Sequence, residues 1–75
     1  NDGSYTVEGS ITIRDLNRIA EWNLSDEEAN TIAGLLIYEA QAIPAKGQVF
    51  SFDGYRFEVI EKDLNRLTTL KITKL

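Results

Sequence analysis

The sequence predicts an α+β fold: a two-layer sandwich of element order β-α-α-β-β-β, with two helices on one face of a mainly antiparallel sheet. Three features predict it. Asp53-Gly54 stands between two runs whose apolar residues alternate, two apolar stripes of helical period occupy the first half, and a further alternating run, Arg66 to Lys74, closes the chain.

Tyr5 to Glu8 reads as a short strand with Tyr5 and Val7 on one face, bounded on both sides by Gly and Ser. Thr12 with Asp15 three residues later is close to a capping box. Ile13, Leu16, Ile19 and Ala20 then recur at helical spacing, so the first helix runs to Glu21 or Trp22. Ser25 with Glu28 is a full capping-box pattern, and Asp26 and Glu27 add negative charge where a helix macrodipole favours it. A second helix is therefore expected from Ser25, with an apolar stripe of Ala29, Ile32, Ala33, Leu36, Ile37 and Ala40, ending before Pro44. Gly34 inside that helix costs roughly 1 kcal/mol relative to Ala, which points to a packing notch where a strand or the other helix comes close.

The segment Gln48 to Lys62 reads as a β-hairpin. A two-residue type I′ loop requires positive φ at both central positions, which Asp and Gly tolerate, so the turn sets the register. Phe52 then faces Tyr55 and Phe50 faces Phe57 on a packing surface, leaving Val49, Ser51, Arg56 and Glu58 on a wet one. Asp63, Leu64 and Asn65 form the next turn. In the last strand Leu70 and Ile72 share a face while Leu67 falls out of phase, which a bulge near Thr68 or Thr69 reconciles. The first strand or the last is expected at the sheet edge. The similar strings RDLNRI at Arg14 and KDLNRL at Lys62 open a helix and cross a turn respectively, and their flanks share nothing.

Seventy-five residues make one domain. A chain this short buries about 60 to 65% of its unfolded surface and leaves little room for a deep pocket. The 43% hydrophobic and 27% charged shares are those of a globular domain. With no cysteine there is neither a disulfide framework nor a thiolate metal site, and thiol redox chemistry is excluded. A formal charge of -4 opposes binding to polyanionic nucleic acid. No apolar run approaches the roughly 20 residues that cross a bilayer, and no signal-peptide core is present. The opening Asn1 suggests a module excised from a longer protein.

Histidine is absent, which removes the usual general base and the commonest zinc ligand. Asp26, Glu27 and Glu28 could serve as a carboxylate group, but a helix N-terminus accounts for them. No spaced D-x-D-x-D-G cage exists for Mg²⁺ or Ca²⁺, and Asp53-Gly54 is explained by its turn. Gly47 and Gly54 are isolated, so no phosphate loop is present. Phe50, Phe52, Tyr55 and Phe57 suit a sheet core better than a base-stacking platform on an acidic protein. Trp22 either closes the core or stands partly exposed as an interaction anchor. The apolar face of the second helix could take a partner helix, although it already has a sheet to cover.

The ordered features resemble the CorC/HlyC transporter-associated domain over nearly the whole chain, from Asp2 to Ile72. The resemblance rests on Gly3-Ser4-Tyr5 with Gly9, Arg14-Asp15-Leu16-Asn17, Thr31 with Gly34, Ile43-Pro44 with Gly47, and Asp53-Gly54 before Phe57. The family often has a second Gly where this chain has Ala33, a difference confined to local packing. The family's domain usually ends bacterial membrane proteins that carry an N-terminal transmembrane domain and a pair of CBS domains. The resemblance thus implies a non-catalytic accessory domain at the cytoplasmic face of the membrane, in a protein of magnesium or cobalt efflux type, with some members named haemolysins. Its fold is similar to part of the FAD-binding, PCMH-type domains, but no flavin motif is present, and no catalytic, metal or cofactor residue is implied. Expected partners are the neighbouring CBS domains and a second copy of the module, with the membrane reached only through the parent protein. The alternative is a sensor that binds a divalent cation or small ligand through surface carboxylates.

Overall fold

The computed structural model describes residues 3–75; Asp2, where the family resemblance begins, and Asn1 lie outside the described residues. The elements are β1 (Ser4–Glu8), α1 (Ile13–Ala20), α2 (Ile32–Ala40), β2 (Val49–Phe52), β3 (Tyr55–Asp63) and β4 (Arg66–Lys74). They form the expected α+β arrangement, a four-stranded antiparallel sheet of order β1-β4-β3-β2 whose inner face shares one core with both helices.

The β2–β3 hairpin has the expected register, pairing Phe52 with Tyr55 and Phe50 with Phe57. Asp53 and Gly54 both take positive φ, 56° and 85°, as a type I′ loop demands. The next turn is tighter than expected. Asp63 still pairs with Arg66, so only Leu64 and Asn65 cross between the strands. Two register slips follow: Val59 pairs with Leu70 and Glu61 with Thr69, then Lys62 with Leu67. Ile60 is therefore an extra residue on β3 and Thr68 an extra one on β4. The Thr68 bulge brings Leu67 inward with Leu70 and Ile72, while the Ile60 bulge, which the sequence reading lacked, restores the register.

β1 occupies one edge, with Tyr5 opposite Ile72 and Val7 opposite Leu70. The last strand is not an edge. The two hairpins set β2, β3 and β4 side by side, and β1 fills the open side of β4, so β2 is the second edge.

In α1 the Thr12 hydroxyl accepts from the Asp15 amide at 3.1 Å, and Ile13 and Leu16 are buried. Ile19, expected on the same stripe, is 59% exposed. At about 100° per residue Ile13, Leu16 and Ala20 fall within about 60°, and Ile19 lies about 60° beyond them. Glu21 then closes the helix in the left-handed conformation.

The second helix starts at Ile32, seven residues after the expected cap at Ser25. Its N-cap is Thr31, whose hydroxyl accepts from the Gly34 amide at 3.1 Å. The preceding segment is held by tertiary bonds that a helix would need for itself. The Ile32 amide donates to the Ile11 carbonyl at 3.0 Å, the Ala33 amide to Gly9 at 2.9 Å, and the Asn30 carbonyl accepts from Ile13 at 2.8 Å. In a helix begun at Ser25, Ile32 and Ala33 would instead donate to residues 28 and 29. Asn17 adds a clasp, bonding both the amide and the carbonyl of Leu24 at 2.9 Å. The Ser25 hydroxyl accepts from the Glu27 amide in a local turn, and Asp26 pairs with Arg14 at 3.5 Å. Asp26, Glu27 and Glu28 thus do not sit at a helix N-terminus. Replacing Thr31 by Ala is expected to lower stability by about 1 kcal/mol, whereas Ser25→Ala stays within about 0.5 kcal/mol; urea midpoints of the two variants check it.

The core is built from Phe57, Val59, Leu67, Leu70 and Ile72 of the sheet against Ile13, Leu16, Ile32, Leu35 and Leu36 of the helices. Leu35, outside the expected stripe, is buried: at about 100° per residue Leu35, Ile32 and Leu36 make the inward face of α2, rotated from the expected stripe so that Ala33, Ile37 and Ala40 are only half-buried. Gly34 is a notch, but the group that comes close is its own cap: an added Cβ would meet Thr31 Oγ1 at 3.1 Å and Ala29 Cβ at 3.4 Å. Trp22 closes one end of the core between Tyr5 and Tyr55, at centroid distances of 5.1 and 5.0 Å. Phe52 lies parallel on Phe57 at 4.5 Å, which places the hairpin aromatics in the core. No helix among the described residues is long and apolar enough to cross a membrane.

Candidate functional site

Three surfaces could carry function. The first is a shallow depression of about 780 Å³ beside α1, lined by Thr12, Arg14, Asp15, Arg18, Asp26 and Asn30. Its charges already cancel: Arg14 meets Asp26 at 3.5 Å and Arg18 meets Asp15 at 2.8 Å. Both pairs are exposed and contribute little to stability. Each carboxylate faces a guanidinium, so the depression is poorly suited to a cation, and no group of three His, Cys, Asp or Glu donors converges among the described residues. The Thr12 hydroxyl is occupied by its helix cap.

The second surface is a mainly apolar groove of about 330 Å³ between the start of α2 and the β3–β4 turn. Gly9, Ala33 and Gly34 are among its small residues, Ile37 and Leu67 among its larger ones, with Asn65 and Arg66 from the turn side. The groove follows from the splice of β1 onto α2. Gly9 donates to the Thr68 carbonyl at 3.0 Å while accepting from Ala33, which leaves no space for a side chain there.

The third is the outer face of the sheet. Its cross-strand rows are Thr6, Lys71, Glu58 and Val49, then Ser4, Thr73, Arg56 and Ser51. The Ser4 and Thr73 hydroxyls lie 2.8 Å apart, and Arg56 and Glu58 are at 4.0 Å. One covered face and one hydrated polar face is the ordinary pattern of an antiparallel sheet.

The family-marking residues are scattered over these surfaces. Gly9, Thr31 and Gly34 meet around the groove, Arg14 and Asp15 border the depression, and Asp53-Gly54 lies at the opposite end of β4. There the Leu75 amide donates to the Gly54 carbonyl at 2.9 Å and the Lys74 amide to Gly3 at 3.2 Å, so both ends of the described chain emerge together. The sequence reading did not find the groove. Its signal was Gly9 between a strand and a helix combined with the out-of-phase Leu67, two facts that meet only in the tertiary fold.

The transporter-associated domain model, CorC_HlyC, matches residues 1–75. The magnesium and cobalt efflux protein CorC of Vibrio cholerae is 34% identical over 70 residues, which cover 93% of this chain and 24% of that protein. The chain spans about a fifth to a quarter of the length of such curated relatives, 18% in a Haemophilus influenzae protein of the UPF0053 group. Among solved structures, the transporter associated domain of a CBS domain protein from Porphyromonas gingivalis has a TM-score of 0.88 at 26% identity, covering 100% of this chain and 92% of that one. The corresponding domain of a Xylella fastidiosa hemolysin, in complex with Mg²⁺ and Mn²⁺, has a TM-score of 0.81 at 28% identity, covering 100% and 91%. With the family model matched from end to end and the same fold in these relatives, the chain belongs to the CorC_HlyC transporter-associated domain family.

Proposed function

We propose that these residues form one module of a longer membrane protein of the magnesium and cobalt efflux type, and that the module is a non-catalytic regulator acting by docking on neighbouring domains. The observation that carries this reading is the use made of five of the residues behind the family resemblance, which serve as turn, cap and close-approach positions, while Arg14 and Asp15 of the same set are spent in surface ion pairs. Gly9, Thr31, Gly34 and Asp53-Gly54 shape the backbone, and none presents a reactive group to a cleft. The expected docking partners are CBS domains of the same chain, on the cytoplasmic side. Deleting the module from the parent protein is expected to change its rate of ion transport; transport unchanged by the deletion overturns the proposal.

A divalent-cation sensor is the second reading, favoured by the Mg²⁺ and Mn²⁺ complex of the Xylella relative. A ligand that binds only the folded state at 100 times its Kd raises stability by about 2.7 kcal/mol. Because the acids of the depression are already paired, thermal unfolding in millimolar Mg²⁺, Mn²⁺ or Co²⁺ is expected to match an ionic-strength control. A rise specific to these ions selects the sensor instead.

A further inference from the structure

Leu64 is the most exposed large apolar side chain, at 86%, and its φ is +57°. That left-handed conformation suits Gly, Asn or Asp and disfavours Leu. The hairpin would close more easily with one of those residues, and water gains nothing from a leucine there. Immediately beside it, Asn65 and Arg66 line the apolar groove that also includes Gly9, Ala33 and Ile37. A knob next to a hole on one surface is self-complementary: a two-fold axis between them sets the Leu64 of each copy over the groove of the other. The charges agree with that symmetry. Asp63 and Arg66 flank the turn as cross-strand partners, and no ion pair engages either among the described residues. The same axis brings Asp63 of one copy toward Arg66 of the other.

We infer that the β3–β4 turn is a self-association site, with Leu64 of one copy seated in the groove beside Gly9, Ala33 and Ile37 of a second copy of this chain. This rests on the reading of the module as one that works through protein contact. The surface involved is a small part of a molecule measuring 30 × 27 × 18 Å, so the dimer is weak and concentration-dependent, below the roughly 1,200 Å² of stable complexes.

Sedimentation equilibrium of this chain from micromolar to millimolar concentration tests it. The average mass is expected to rise toward that of a dimer. Leu64→Asn is expected to weaken association by about tenfold or more without lowering the thermal midpoint, since it also relieves the turn. Asp63→Arg and Arg66→Asp should each weaken association, and the double exchange should restore it. A wild-type chain that stays monomeric at millimolar concentration, or a Leu64→Asn variant that associates as the wild type does, overturns the inference. Loss of the docking reading would instead show in the transport assay of the deleted parent, so the two failures are distinguishable.

Discussion

Gly9→Ala is expected to lower stability by about 3 kcal/mol or more, a large share of what a chain of this length has. Gly9 is buried at the crossing of three segments. Its amide reaches Thr68, its carbonyl receives Ala33, and an added Cβ would overlap the Leu67 carbonyl oxygen and stand 3.1 Å from Ala33 Cβ. The obstacle is backbone, which no rotamer change removes. To admit the methyl group, β4 must separate from β1 or α2 must lose its bonds to residues 9–13, and either movement opens the core at Leu67. A chain of this length has a total stability of roughly 4 to 11 kcal/mol, so the substitution removes much of it. Gly47→Ala is the comparison. That residue has φ of +90° and nothing within 4 Å of an added Cβ, so only the left-handed strain of about 1 to 2 kcal/mol applies. Urea unfolding of both variants checks the contrast: the Gly9 midpoint must fall well below the Gly47 midpoint.

Phe57→Ala is expected to cost about 3 to 5 kcal/mol, a large share of the stability of a domain of this size. Phe57 is fully buried, lies against Phe52, and stands between Phe50 and Ile72 in the central row of the inner face. Removing the ring leaves a void between β2 and β4 that the flanking hairpin cannot close without losing its own pairing. Phe57→Leu retains most of the apolar volume and should cost less than half as much. Near-ultraviolet circular dichroism and the sharpness of the thermal transition separate the two, with a broad, weak transition expected for the alanine variant alone.

How much could be read from the chain itself depended on whether the deciding interaction was local. The β2–β3 hairpin was legible to the residue because a two-residue turn and period-2 alternation overdetermine one register. The start of α2 was not. Ser25 with Glu28 is a local signal worth about 1 kcal/mol, and it is outweighed by three backbone bonds between residues 9–13 and 30–33 that no local pattern announces. The Thr68 bulge was legible because Leu67 broke the phase, whereas Ile60 escaped notice because its slip is undone one residue later. For the same reason Gly9 and Gly34 read as a strand boundary and a notch of unknown partner. The groove they border depends on Leu67, which stands 58 positions beyond Gly9 and 33 beyond Gly34, and on a turn whose exposed Leu64 reads as ordinary loop sequence.

If Gly9, Thr31, Gly34 and Phe57 serve only to build the module, damage to them must act through folding alone. The most direct measurement is ion transport by the parent protein carrying Thr31→Ala, Gly34→Ala, Gly9→Ala or Phe57→Ala, set against the folded fraction of each module at the assay temperature. The expected result is a single curve on which transport departs from wild type only as the folded fraction drops, with Gly9→Ala and Phe57→Ala departing furthest. A variant that remains fully folded yet behaves like the deletion would contradict the account, because it would place chemistry at a position assigned here to architecture.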